Sequence, residues 1–108
     1  MTAGSFGWRL NYMPKKYTIS AVILSKNSEK KIGECLSSLK GWADEIIIVD
    51  GGSTDNTAKI AEQSGARVYF HPFSGSFAQE RNFGTDKASS AWVLQLDSDE
   101  IVTDSFKE

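Results

Sequence analysis

Residues 45–55 read EIIIVDGGSTD, an apolar run that ends at Asp50 and passes directly into two glycines. The run is β-branched and apolar on both faces, which is typical of a strand buried inside a parallel sheet. The glycines predict a tight loop, and Asp55 is a residue type that caps helices. This stretch therefore predicts a buried strand over 45–50, a loop, and a helix over 54–64.

The same alternation continues on both sides of that stretch. Asn27 and Ser28 are candidate helix caps, and an apolar stripe at helical spacing follows them: Ile32, Cys35, Leu36 and Leu39. Further strands are predicted over 18–25, 67–71 and 91–96, with helices over 28–40 and 77–88. Strands that alternate with helices predict βαβ units, and hence an α/β fold with a Rossmann-like parallel sheet and flanking helices.

Composition sets limits on the class of protein. The chain has 108 residues, enough for one domain over 17–108, preceded by a leader over 1–16 that we expect to be flexible. A formal net charge of −2 provides no basic field, so nucleic acid is not an expected partner. No apolar run approaches the ~20 residues of a membrane helix, and the start is not patterned as a signal peptide. The single cysteine, Cys35, is expected to be a buried thiol in a reducing compartment.

Polar residues cluster where the predicted strands end. Ser25, Lys26 and Asn27 follow the first strand, Asp50 ends the second, and the fourth ends in 97–100, Asp-Ser-Asp-Glu. In open parallel sheets these ends meet at the edge that binds ligands. Two carboxylates two residues apart can hold a divalent cation such as Mg²⁺ or Mn²⁺ and leave positions open for phosphate oxygens. In isolation, Asp97-Ser98-Asp99 is more typical of a polar turn at a strand end, and its position directly after the strand over 91–96 is what favours a metal site.

Four motifs in order resemble family 2 glycosyltransferases of the GT-A fold, across residues 17–102. They are ISAVI with SKN over 19–27, IIVDGGSTD over 47–55, QERN over 79–82, and WVLQLDSDE over 92–100. WADE over 42–45 and GARVYF over 65–70 are most similar to the bacterial lipopolysaccharide core glucosyltransferase subgroup. The chain is thus identified as similar to the N-terminal, nucleotide-sugar-binding part of such enzymes.

The resemblance implies a donor site formed by Ser25, Asn27, Asp50, Arg81 and Asp97. Ser25 and Asn27 would border the base and ribose, and Asp50 would contact the uracil or ribose side. Arg81 would lie near the diphosphate or sugar. Asp97 and Asp99 would bind Mn²⁺ or Mg²⁺, with Asp99 as the main metal ligand.

The resemblance also implies an activity: metal-dependent, inverting transfer of sugar from a nucleotide-diphospho-sugar, a UDP-sugar being favoured, to a saccharide or lipid-linked acceptor. The general base of such enzymes lies well downstream of the aspartate pair, so no catalytic residue is predicted within these 108 residues. The isolated chain is therefore expected to be inactive and, with apolar surface uncovered, to form homo-oligomers. The expected location is the cytoplasm, including the inner face of the membrane.

Two positions depart from the family pattern. Many members have a second aspartate where Gly51 stands, which affects the uridine preference, and many have a base-stacking aromatic residue where Lys26 stands. Lys26 is compatible with either a phosphate contact or a solvent-facing side chain.

Several residues also have simpler interpretations. Asp50 is compatible with a turn carboxylate, Arg81 with a surface ion pair, and His71 is interpreted as a turn residue. Glu100 either assists the metal or only flanks it. The remaining interpretations are structural: Phe70 and Trp92 in the core, Trp42 packed at a helix end, Lys30 and Lys31 on a solvated helix face, and Thr103–Glu108 without a packing partner.

Two other classes of protein remain as alternatives. One is a non-catalytic binding or self-association module of glycosyltransferase ancestry. The other is a receiver-like signalling domain, which would need a lone aspartate after its third strand. Here that strand ends in Phe70-His71-Pro72, so the receiver interpretation is disfavoured.

Overall fold

The computed structural model describes residues 18–107, in which strands and helices alternate as predicted. The strands are β1 (Ile19–Ser25), β2 (Glu45–Asp50), β3 (Arg67–Phe70) and β4 (Trp92–Asp97). The helices are α1 (Ile32–Leu39), α2 (Thr57–Gln63), α3 (Phe77–Lys87) and the short α4 (Asp104–Lys107). The leader predicted over 1–16 lies outside the described residues. Over 18–107, no helix has the length and apolar character needed to cross a membrane.

The four strands form one parallel sheet in the order β3-β2-β1-β4. The chain builds outward from β1 to β3 and then crosses back to place β4 on the other side of β1. The register pairs Ser25 with Asp50 and Leu24 with Asp97, so the polar strand ends meet at one edge. The order in which the chain adds strands therefore reverses between β1 and β4, and open α/β sheets bind ligands at this position.

Helices cover both faces of the sheet. On one face Ile23 and Ile48 pack with the apolar stripe of α1 and with Ala61 of α2. On the other face α3 lies against Val22, Ile47 and Val49, with Phe83 packed beside them. Alternate residues of β1 and β2 therefore enter two cores, which explains why these strands are apolar on both faces.

Two of the three predicted helices begin later than predicted, whereas α3 begins at Phe77 as predicted. α1 starts at Ile32, and its N-cap Lys31 makes no side-chain cap bond, so the prediction that Asn27 or Ser28 caps this helix is wrong. α2 begins at Thr57 instead of residue 54. In both cases polar residues that precede the helix form hydrogen bonds to a neighbouring loop, described below. Such bonds compete with helix capping.

The structure also corrects the predicted core. Phe70 and Trp92 are 68% and 62% exposed, so the prediction that they are core residues is wrong. Both belong to β3 and β4, which lie at the edges of the sheet formed by the described strands. Cys35 is fully buried as predicted, and burial together with the nearby Glu100 and Asp99 carboxylates raises its pKa to about 11.

The final residues pack on the domain, contrary to prediction. Val102 is buried and its N–H donates to Ser38 Oγ at 3.0 Å. The ring of Phe106 on α4 meets Trp42 edge-on, with ring centroids 6.1 Å apart. Trp42 itself packs on the core beyond α1, which confirms its predicted position.

Candidate functional site

A cleft of about 870 Å³ opens at the carboxyl edge of β1, β2 and β4. Its lining joins the β1–α1 connection to the end of β4 and includes Ser25, Asn27, Asp97, Ser98 and Asp99. The cleft therefore lies at the reversal point of the sheet, where the topology predicts a ligand site.

One wall of the cleft is built by two loops that are bonded to each other. Asn27 adopts a left-handed backbone conformation with φ 50°, and its N–H donates to Ser53 Oγ at 2.8 Å. Its side-chain oxygen accepts from the Thr54 N–H at 2.8 Å and from the Thr54 hydroxyl at 3.3 Å. Nearby, the Ser28 N–H donates to Thr57 Oγ1 at 2.8 Å. These bonds fix the β1–α1 connection against the start of α2.

Asp50 is held by its own loop. One carboxylate oxygen accepts from the Ser53 and Ser25 hydroxyls at 2.5 and 3.3 Å, and the other accepts from the N–H groups of Gly52 and Ser53 at 3.3 and 3.0 Å. Asp50 is 4% exposed, and Gly51 lines the cleft in its place. These bonds give Asp50 a turn-forming role, its simpler interpretation from sequence, while its predicted contact with the uracil or ribose side stays a prediction.

The end of β4 forms a tight turn that presents carboxylates. The Asp97 N–H donates to Glu100 Oε1 at 2.7 Å, and the Glu100 N–H returns to the Asp97 carbonyl at 3.0 Å. The Ser98 and Ser28 hydroxyls share a hydrogen bond of 2.6 Å, which ties this turn to the β1–α1 connection. Glu100 is therefore engaged in the turn, while the side chain of Asp97 remains 61% exposed and Asp99 lines the cleft.

Arg81 reaches the same turn from α3. Its Nη2 lies 4.0 Å from Asp97 Oδ1, and its guanidinium lies 5.9 Å from the centre of the Phe77 ring. The guanidinium therefore stands beside the carboxylate end of the cleft, where a cation complements an anionic ligand. Its side chain is 44% exposed, so the ion pair with Asp97 alone contributes little to stability.

Glu80 is a site residue that sequence reasoning missed. It is 4% exposed and lines the cleft, and one oxygen accepts from the Ser74 N–H and hydroxyl at 2.9 and 2.8 Å. The other lies 2.6 Å from His71 Nδ1. Burial alone would raise the pKa of Glu80, but the bonds from Ser74 and His71 outweigh it and lower that pKa. The only signal in the sequence was its place in the QERN motif, beside Arg81.

Three lysines also line the cleft. Lys26, Lys30 and Lys31 all line the cleft from the β1–α1 connection, and all are exposed. The prediction that Lys30 and Lys31 lie on a helix face is wrong, since both precede α1. Lys26 is placed next to the ligand space, which is the position its phosphate-contact interpretation requires.

The structure thus brings most of the predicted site residues together. Ser25, Asn27, Asp97 and Asp99 line one cleft, Arg81 contacts Asp97, and Asp50 supports the loop beside them. Over residues 18–107, no group of three or more histidine, cysteine, aspartate or glutamate side chains is arranged to hold a metal ion. Any cation here would take two protein carboxylates and need further oxygens from a ligand.

The fold and the cleft define an α/β protein with an open parallel sheet and a candidate ligand site where the strand order reverses, edged by carboxylates and cationic side chains. The chain belongs to the glycosyl transferase family 2, whose sequence model matches residues 20–108. It is 37% identical over 90 residues to an uncharacterized glycosyltransferase of Rickettsia felis, covering 83% of this chain and 31% of that protein. It is 35% identical over 101 residues to the lipopolysaccharide core biosynthesis glycosyltransferase LpsC of Rhizobium meliloti, covering 89% and 37%.

Solved structures share the fold. S. aureus TarS matches with a TM-score of 0.70 and 32% identity over 80% of this chain and 28% of that one. Glucosyl-3-phosphoglycerate synthase from Mycobacterium tuberculosis, in complex with Mn²⁺, UDP and glucosyl-3-phosphoglycerate, matches with a TM-score of 0.60 and 33% identity over 77% and 34%. The predicted GT-A fold and family are confirmed. The chain spans about a third of the length of the curated relatives it matches.

Proposed function

We propose that this chain is the donor-binding part of a metal-dependent, inverting glycosyltransferase that uses a nucleotide-diphospho-sugar. The observation that carries the proposal is the meeting of Asp97, Ser98 and Asp99 with the β1–α1 connection in one cleft. Family membership supports sugar transfer, and the UDP and Mn²⁺ bound by the mycobacterial synthase support a UDP-sugar and a divalent ion here. LpsC supports an acceptor of the lipopolysaccharide core type.

The donor set fits a hard divalent cation. Asp97 and Asp99 offer carboxylate oxygens, which Mg²⁺ and Mn²⁺ prefer, and these ions keep positions open for the phosphate oxygens of a substrate. The shared Ser28–Ser98 hydrogen bond and the Glu100 bond to the Asp97 N–H hold the turn before any ion arrives. A bound ion would supply electrostatic stabilisation of the departing diphosphate.

The protein's own residues bind and orient the donor. Asn27 and Ser25 form the wall that would border the base and ribose, and Lys26 provides a cation on that wall. Arg81 stands at the carboxylate end, where it would face the diphosphate or sugar. With the donor held in this way, an acceptor hydroxyl displaces the nucleoside diphosphate from the anomeric carbon in one step. That step inverts the configuration and needs a base to accept the hydroxyl proton.

Coupled binding of metal and nucleotide tests this proposal. We expect Mn²⁺ to raise the affinity for UDP by about 5- to 150-fold, the range of typical coupling free energies. Asp99→Ala should remove most of this coupling and Asp97→Ala should weaken it, because each removes carboxylate oxygens from the ion. Titration calorimetry with UDP in Mn²⁺ and in chelator measures both affinities.

Asp86→Ala is the matched control, since Asp86 is an exposed aspartate of α3 outside the cleft lining. It should keep the wild-type coupling. Equal UDP affinity with and without Mn²⁺ in the wild-type chain, or full coupling in Asp99→Ala, would contradict the proposal.

A further inference from the structure

Two exposed phenylalanines line the cleft. Phe73, in the β3–α3 connection, is 48% exposed, and Phe77, the first residue of α3, is 62% exposed. Among the described residues that line the cleft, these two carry its only aromatic rings. Exposed apolar groups that are adjacent to one another and rimmed by polar residues are typical of binding sites.

The two rings form one surface. Their centroids lie 4.9 Å apart with the planes inclined by 48°, so they pack against each other without stacking flat. The guanidinium of Arg81 lies over Phe77, and the same Arg81 reaches Asp97. The aromatic surface is therefore connected to the carboxylate end of the cleft through the guanidinium of Arg81.

The aromatic surface is also held in place. Ser74 follows Phe73 directly, and both its N–H and its hydroxyl donate to Glu80 on α3. The Ser76 hydroxyl caps α3 by accepting from the Gln79 N–H at 3.3 Å, so the connection is fixed at both ends of the Phe73–Phe77 segment. Rings that are positioned before a ligand arrives lose less conformational freedom on binding.

We propose that Phe73 and Phe77 form the stacking surface for the planar base of the nucleotide donor. A base offers a flat π-face that an aromatic ring can cover, whereas the diphosphate suits a cation held at Asp97 and Asp99. The inference rests on the proposed function, because it assumes that the cleft holds a nucleotide.

Alanine substitution of each ring tests the inference against ligands that differ in the base. Phe77→Ala and Phe73→Ala should weaken UDP binding by about 5- to 150-fold, the range for loss of one base–aromatic stack. Inorganic pyrophosphate, which has no base, should bind both variants as it binds wild type. Titration calorimetry in Mg²⁺ gives these affinities, and the thermal midpoint of each variant checks that it folds.

Two further substitutions at residue 77 separate stacking from bulk. Phe77→Tyr keeps the ring and should keep UDP affinity, whereas Phe77→Leu keeps apolar volume without a π-face and should behave like Phe77→Ala. Phe70→Ala is the matched control, because Phe70 is an exposed phenylalanine outside the cleft lining. These conservative variants decide the question if an alanine variant fails to fold.

Unchanged UDP affinity in Phe77→Leu and both alanine variants overturns the inference, as does an equal loss of UDP and pyrophosphate binding. A variant that binds UDP normally and loses only UDP-glucose overturns it by assigning the surface to the sugar. Loss of binding to anionic lipid vesicles with UDP affinity intact overturns it by assigning the surface to a membrane. If Asp99→Ala still abolishes metal coupling in any of these cases, the proposed function stands without the stacking surface.

Discussion

Gly84 lies in the middle of α3, where glycine weakens a helix by about 0.5–1 kcal/mol relative to alanine. Its presence in the sequence therefore argues against a helix there. The structure supplies the reason for it: a Cβ at this position would lie 2.3 Å from Val22 Cγ1 and 3.0 Å from Val49 Cγ2. The glycine lets α3 approach the sheet and so places Arg81 and Phe77 beside the cleft.

Replacing this glycine should therefore destabilise the domain. We expect Gly84→Ala to lower the free energy of unfolding by about 1–3 kcal/mol, the usual cost of overpacking a core, despite the higher helix propensity of alanine. Gly33→Ala is the matched control on α1, since a Cβ added there would have no atom within 4 Å, and it should raise stability by about 0.4–1 kcal/mol. Urea unfolding measures the free energy of unfolding of both variants. A stabilised Gly84→Ala would show that α3 is not packed as described.

Residue roles at the strand ends were only partly predictable from sequence. Position after a strand places Asp50 and Asp97 at one edge, and the structure confirms that placement. Sequence does not tell whether a carboxylate is used by its own loop. Asp50 accepts hydrogen bonds from Ser53, Gly52 and Ser25, whereas the Asp97 carboxylate remains exposed. That difference depends on loop geometry, which residue type alone does not specify.

At the scale of elements, Glu80 joins the β3–α3 connection to its helix. Because a carboxylate only accepts hydrogen bonds, the 2.6 Å contact requires His71 Nδ1 to carry the proton. The sequence indicated a turn at His71 and a motif over 79–82 but nothing that joined the two. Their contact follows from the path of the loop, which no local pattern describes.

This contact should make stability depend on pH. The folded-state pKa of Glu80 is lowered below its ordinary value of 4.5, so its stabilising effect is complete above that pH and is lost as pH falls through the folded pKa. Glu80→Gln removes this contribution. The difference in free energy of unfolding between wild type and Glu80→Gln should be largest near pH 7 and narrow below about pH 4.5.

Urea unfolding at a series of pH values from neutral to acidic measures that difference. The carboxyls of Glu45 and Asp55, whose pKa values hydrogen bonds also lower, titrate in both proteins and cancel from the comparison. Glu62→Gln, at an exposed position of α2, is the control and should show no such narrowing. A difference that stays constant with pH would mean that the Glu80 carboxylate does not supply the stabilisation.

The packing of the short α4 was likewise not predictable from the local sequence. Residues 104–107 carry no apolar period, so no packed element was expected there from sequence. Phe106 contacts Trp42, which lies beyond α1 and is distant in the chain. Long-range contacts of this sort are not encoded in local periodicity.

At the scale of the whole molecule, the fold class was predictable because β1 and β2 are buried on both faces and read as continuous apolar runs. The order of the strands was not predicted, and the two errors in the predicted core follow from that. Phe70 and Trp92 were assigned to the core, but the order β3-β2-β1-β4 puts both on edge strands, where they are exposed. Periodicity identifies a strand without telling whether it lies at the centre or the edge of a sheet.

Sugar transfer needs a general base, and the carboxylates that line the cleft are the candidates for it within the described residues. The carboxylates lining the cleft are Glu29, Asp55, Glu80, Asp97 and Asp99. Hydrogen bonds from Thr57 and the Glu29 N–H engage Asp55, and those from Ser74 and His71 engage Glu80. In the proposed function, Asp97 and Asp99 hold the cation. Among these cleft carboxylates only Glu29 is left for proton transfer, and it lies beside Lys30 on the wall assigned to the base and ribose.

We therefore expect the 108-residue chain to bind donor but to transfer no sugar, with the general base supplied from outside the described residues. Loss of a positioned base costs about 10²- to 10⁴-fold in rate, which would leave at most trace donor hydrolysis, since water needs less positioning than a sugar acceptor. The measurement is product formation from UDP-glucose, Mn²⁺ and core-oligosaccharide or lipid-linked acceptors. Asp99→Ala serves as the metal-site control for any signal.

Transfer by the wild-type chain that disappears in Asp99→Ala would contradict the expectation and place a base within this chain. Glu29→Gln would then be the first variant to examine, because it removes the only cleft carboxylate without an assigned role while preserving the shape of the side chain.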